Sequence, residues 1–233
     1  MENNFYIREA HYIDEGLRIY LTKVYTYMML GLSLTGIVAY GVASSPYLFD
    51  AIFKTPFIWA ILLVPLILVY YIGSRIHMLS PSVAPILFWL YAVLIGISLA
   101  PTILFYTGQS VTSTLFITSA TFGAMSFLGY NTKADLSSLK FLMIMGLLGL
   151  IIAGLINMFL QSTSFDLIIS GAGVLLFIVL TAVDIQRIRN IYCSEDLQEV
   201  TEKKAVMGAL TLYLNYLNLF VYLLRFLGRR REK

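Results

Sequence analysis

Charge is what this 233-residue chain has least of: only 12% of its residues are Asp, Glu, Lys or Arg. Soluble domains average about 25%. The shortage is also concentrated, because no charged residue occurs in 24–49, 76–132, 141–165, 167–183 or 205–224. A soluble globular domain is thereby excluded. Cysteine is nearly absent too. A lone Cys193 rules out an internal disulfide and any multi-cysteine metal or iron–sulfur site. The two histidines, His11 and His77, are far apart and follow no HExxH or other ligand spacing. There is no GxSxG elbow, no glycine-rich phosphate loop and no supported Cys–His arrangement. Asp184 is the one acid that falls toward the interior of an apolar span, so an intramembrane aspartyl dyad cannot be built. The expectation is a protein that is not an enzyme and holds no cofactor. The net charge of +3 comes without a basic cluster interleaved with aromatics, so no nucleic-acid partner is expected.

What the chain does have is apolar length. It is 59% hydrophobic, with a mean hydropathy of +0.81. Seven segments are long enough to cross a hydrocarbon core of about 30 Å as helices: 24–44, 56–74, 83–106, 110–129, 139–160, 165–187 and 205–227. Their hydrophobicity is continuous rather than alternating, which excludes an outer-membrane barrel. The fold class expected is an all-α integral membrane protein of seven transmembrane helices, with residues 24–233 as a single bundle and membrane lipid as its surroundings. Residues 1–23 form an amino-terminal segment that is polar and acidic, unlike a secretory signal. Within it, Ile13, Leu17, Tyr20, Leu21 and Val24 share a helical face, which predicts either a short interfacial helix or the wet start of the first span.

Lys and Arg in the connections set the orientation. With the amino terminus cytoplasmic, the inner side collects Arg8, Arg18, Lys23, Arg75, Lys133, Lys140, Arg187, Arg189, Lys203 and Lys204. The outer side holds only Lys54 until the tail, where Arg229, Arg230, Arg231 and Lys233 conflict with the rule. Either the tail is outside, the reading favoured here, or the seventh segment is re-entrant. Small residues four apart, Ser119 with Gly123 and Gly149 with Ala153, predict close helix approach.

Two features point to chemistry. In the seventh segment, Gly208, Thr211, Asn215, Asn218, Tyr222 and Arg225 recur at steps of three and four, on one helical face. Amide side chains find no partners in hydrocarbon, so this stripe faces protein or water and puts the helix at the bundle centre. It serves either as interhelical glue or as the lining of a polar pathway. The second feature is Asp184, in TAVDIQRIRN at the end of the sixth segment. Arg75, at the end of the second, lies at similar depth on the same side and is one candidate partner. Arg187, one turn along, is the local alternative.

The sequence also resembles the Bax inhibitor-1 family, in particular its bacterial branch. The resemblance rests on IDEGLRIYLTKVYTYM, GISLAP, GYNTKADLSSL, AVDIQRI and LTLYLNYLNLFVYLLRFLG, in family order over nearly the whole chain. It implies a central seventh helix wrapped by two three-helix layers, in a bacterial inner membrane. It further implies a pH-sensitive calcium leak, gated by an arginine on the second helix and aspartates on the sixth and seventh. Carried over by motif, these are Arg75 and Asp184, while the seventh-helix position is Asn215. An ATP-dependent membrane protease is the partner the resemblance implies, and a non-transporting regulator or substrate of such a protease is the competing reading.

The asparagine matters. Two close carboxylates share a proton, and Asp184 with Asn215 cannot. Asn215 still offers an oxygen, so the two remain possible transient calcium ligands. The expected protein is a passive cation leak with a weakened pH response, lined by Asn218, Thr211, Tyr222 and Arg225.

Overall fold

The computed structural model describes the backbone of residues 2–231 and the side chains of residues 15–231. Among the described residues the secondary structure is helical: α1 (Glu2–Ser44), α2 (Pro46–Phe53), α3 (Phe57–Arg75), α4 (Val83–Phe105), α5 (Gly108–Asn131), α6 (Leu139–Leu160), α7 (Thr163–Asn190) and α8 (Gln198–Leu227). All but α2 are long and apolar enough to cross a membrane. The chain is an all-α integral membrane protein with seven spans. Charge-free runs end where lysines, arginines and acids return, so most helix limits fall close to those read from sequence.

Two departures occur near the start. The first connection contains α2, whose first residue is Pro46, with Ser45 as its N-cap accepting from the Leu48 N–H. Proline has no amide hydrogen to lose at that position, which suits it to a helix start. The second departure is in the bounds of the first span, since α1 runs unbroken into it from the amino-terminal segment, as the wet-start alternative reads it. Tyr20, Leu21 and Val24 are buried, as their shared face predicts, and what covers them is protein. Tyr20 sits against Tyr192, ring centroids 5.4 Å apart. Arg8, His11, Ile13 and Asp14 lie outside the described side chains.

Water-soluble proteins rarely expose wide apolar surface. Here Tyr70 is 77% exposed on α3 and Phe159 82% on α6, as lipid-facing positions are. By contrast, 67% of the most apolar stretch of α8 is buried. Of the polar stripe itself, Gly208 and Asn215 are buried, Thr211, Asn218 and Tyr222 are half-buried and Arg225 is exposed.

Contacts group the chain into two compact units, Met1–Pro101 with Arg189–Tyr213, and Thr102–Ile188 with Leu214–Lys233. The division falls within α8. The first unit centres on Tyr213, whose ring meets Phe88 and Tyr91 edge-on at 5.6 and 5.9 Å. Its hydroxyl lies 2.6 Å from Thr35 Oγ1, which donates in turn to the Ala92 carbonyl at 2.9 Å. Glu202, at the start of α8, takes Lys23 and Tyr27 as partners, and Lys204 takes Asp196.

In the second unit, helices approach closely at glycines other than those read from sequence. Gly123 and Gly149 face open space, so close packing at Gly123 and at Gly149 is not made. A Cβ at Gly129 of α5 would lie 2.5 Å from the Ala182 carbonyl oxygen of α7. One at Gly173 of α7 would lie 2.6 Å from the Tyr222 ring of α8. Backbone occupies the space at Gly129, and an aromatic ring occupies it at Gly173.

The contacts of the tail bear on its two readings. The Thr107 N–H donates to the Arg229 carbonyl at 3.0 Å, and the Arg231 N–H to the Phe105 carbonyl at 2.9 Å. Ser110 Oγ accepts from the Arg229 N–H at 2.9 Å, and the Arg230 guanidinium stacks 5.0 Å over the Phe105 ring. Residues 229–231 are thus held at the α4–α5 connection. At about 1.5 Å per residue, the 30 residues of α8 reach about 45 Å, more than a hydrocarbon core needs. A re-entrant seventh segment is therefore excluded.

Candidate functional site at the α7–α8 seam

The candidate site lies within the second unit, where α7 and α8 run antiparallel. Asp184 pairs with Asn215 and Asp166 with Arg225, so rising numbers on one helix meet falling numbers on the other. At one end, Asn215 Nδ2 donates to Asp184 Oδ2 at 2.8 Å. Asn215 is buried. The local alternative for Asp184, an ion pair with Arg187, is not made. Arg187 is exposed and, with Lys140, acts on Asp184 only through its field.

Toward the other end the seam turns apolar. Phe177 of α7 and Leu219 and Leu223 of α8 form a buried cluster, and Tyr222 stacks on Phe177 with centroids 5.7 Å apart. Beyond it, Arg225 Nη1 lies 3.9 Å from Asp166 Oδ1, both side chains partly exposed. Asp166 and Asp184 are eighteen residues apart on one helix, about 27 Å at about 1.5 Å per residue. The seam therefore carries a carboxylate near each end and an apolar block between them.

The remaining stripe residues satisfy themselves. Thr211 Oγ1 donates to the Met207 carbonyl at 2.9 Å, and Asn218 Nδ2 to the Leu214 carbonyl at 2.8 Å. Arg75 belongs to the first unit, where it is exposed and its Nη1 rests 3.3 Å from Met78 Sδ. Among the described residues, no group of three His, Cys, Asp or Glu is placed to hold a metal.

Sequence reasoning missed Asp166 and Gln186. Asp166 was visible in outline, as the single charge between residues 141 and 183. Gln186 is buried and grips the α5–α6 connection. Its Oε1 accepts from the Leu136 N–H, and its Nε2 donates to the Ala134 carbonyl, both at 2.8 Å. Thus AVDIQRI and GYNTKADLSSL, distant in sequence, form one piece of structure.

A family model described as inhibitor of apoptosis-promoting Bax1 matches residues 17–232. The chain belongs to the Bax inhibitor-1 family. It is 45% identical over 219 residues to RP147 of Rickettsia prowazekii, covering 94% of this chain and 93% of that one. It is 38% identical over 219 residues to the inner membrane protein YbhL of Escherichia coli K12, covering 93% and 94%. A Borreliella burgdorferi protein is 39% identical over 215 residues, covering 91% and 93%. For a Bax inhibitor-1 family member, the amide at position 215 is the feature of this seam with most chemical consequence.

Proposed function

We propose that this Bax inhibitor-1 family protein is a passive cation leak, with calcium as the transported ion, closed at the α7–α8 seam. It would act in a bacterial inner membrane with its amino terminus cytoplasmic. The observation that carries the reading is the 2.8 Å hydrogen bond from Asn215 to Asp184 at the mouth of an apolar block formed by Phe177, Leu219 and Leu223. A buried apolar constriction excludes water and holds ions back until it wets. The carboxylate at its mouth supplies the charge that draws a cation in, and the Asn215 oxygen is a second hard ligand. Arg75 enters this reading by family motif alone; it belongs to the first unit, where it rests against Met78. The chain carries no nucleotide-binding motif, so the leak is read as passive rather than driven by ATP.

The test is calcium entry into dye-loaded liposomes across a pH series. Wild-type protein conducts alone, and Asp184→Asn lowers calcium flux by removing the attracting charge. Asn215→Asp places two carboxylates where one proton must be shared, so its flux becomes more acid-dependent than that of wild type. Coincident pH profiles for wild type and Asn215→Asp overturn the argument. Absence of flux in every variant leaves the other class of role, a regulator of an ATP-dependent membrane protease. Loss of its effect on removing residues 1–23 would identify that role.

A further inference from the structure

An open groove of about 480 Å³ lies in the second unit, between the ends of α5 and α7 and the connection into α6. Asn131 and Thr132 lie along it where α5 ends, and Met125 lies on the same helix six residues earlier, about 9 Å deeper at about 1.5 Å per residue. Val179 and Ala182 of α7 complete the inner wall, and Leu136 and Leu139 the outer one. The groove therefore runs from the edge of the spanning region into its apolar zone. It is lined chiefly by carbon.

The rim carries charge of one dominant sign. Lys133 follows Thr132 and Lys140 follows Leu139. Both are exposed, and neither has a carboxylate partner among the described residues. Arg187 is a third exposed cation nearby, acting with Lys140 on Asp184. The one acid of the connection, Asp135, is engaged locally, its Oδ1 accepting from the Ser137 N–H at 2.9 Å. The rim is fixed rather than loose, because Gln186 holds residues 134 and 136 from α7. An apolar trough opening beneath uncommitted lysines matches a molecule with a hydrocarbon tail and an anionic head.

We propose that this groove binds an anionic phospholipid, with an acyl chain along Met125, Val179 and Ala182 and its phosphate between Lys133 and Lys140. The charge complementarity decides for this lipid class over zwitterionic phospholipids. Its headgroup carries net negative charge, and each lysine near such a surface contributes about 1 kcal/mol.

The test counts lipids retained by the purified full-length protein in equimolar phosphatidylglycerol and phosphatidylcholine, by native mass spectrometry. Phosphatidylglycerol is expected to be retained in preference. That preference falls about fivefold for each of Lys133→Gln and Lys140→Gln, the equivalent of about 1 kcal/mol per charge, and is unchanged in Lys54→Gln. Filling the groove by Val179→Phe releases the lipid with the lysines intact. Leu136→Trp does the same from the opposite wall, so misfolding of either variant leaves the other to decide. Glycerol phosphate, a head without tails, does not compete. Equal retention of the two lipids overturns the proposal, as does retention in both folded groove-filled variants or full competition by glycerol phosphate.

Discussion

A single amide decides the character of the seam. Asn215 donates to Asp184 as a protonated carboxyl would, but it has no proton to release, so acid cannot break the contact from its side. Tyr213 shows the same economy in the first unit, where its hydroxyl and the Ala92 carbonyl share Thr35. Tyr213→Phe leaves the ring packing and removes one buried hydrogen bond. It is expected to lower stability by about 1 kcal/mol, read as a reduced midpoint for thermal unfolding in detergent. Asp135, outside the spans, carries a sign that pH can test. The Ser137 N–H holds its carboxyl below the ordinary value of 3.8. A depressed carboxyl contributes stability above its unfolded value, and this is lost as pH falls through the folded value. Hydrogen exchange at the Ser137 amide should therefore keep its protection from neutral pH to about 4 and lose it only below; earlier loss would show that the contact does not form.

Helices were the most legible part of this chain because hydrocarbon demands long uncharged runs, and the missing charges mark them directly. Which faces meet was less legible. Gly129 and Gly173 carry no signal that separates them from Gly123 and Gly149, since each is a small residue in an apolar helix. Only the partner backbone or ring distinguishes them. Gly129→Val drives two methyl groups and a Cβ into the Ala182 carbonyl and is expected to cost about 1–3 kcal/mol, as overpacking does. Gly123→Val, facing open space, should be nearly silent; equal losses of folded yield in the two would contradict the assigned contact. Gln186 was equally hidden, because one polar residue near a helix end reads as ordinary surface until the loop it binds is seen. Gln186→Leu leaves the Leu136 N–H and the Ala134 carbonyl without their partner. Proteolysis between Asn131 and Leu139 is expected to accelerate in that variant and not in Arg187→Gln.

Across the whole molecule, the basic residues state an orientation and the tail blurs it. Main-chain bonding of residues 229–231 to the α4–α5 connection puts the tail on the side where the third span ends, so its arginines oppose most of the other basic residues. With the amino terminus inside, the α7–α8 connection is cytoplasmic and Cys193, exposed there, is the chain's only thiol. A membrane-impermeant maleimide is expected to label inverted vesicles and spare right-side-out ones until they are permeabilised. The opposite pattern would reverse the orientation and move Asp184 to the outer face. Arg75 was placed by motif rather than by contact. In the structure it is exposed in the first unit, beside Met78, and helical periodicity gave it no partner.

The amide at the seam has a further consequence in the language of the genetic code. Asparagine and aspartate codons differ only in their first base, A or G. The 2.8 Å bond between residues 215 and 184 is within a few tenths of an ångström of the separation a shared proton needs. A lineage carrying this chain is therefore a single transition away from an acid-responsive seam, and no helix would have to move for selection to act on it.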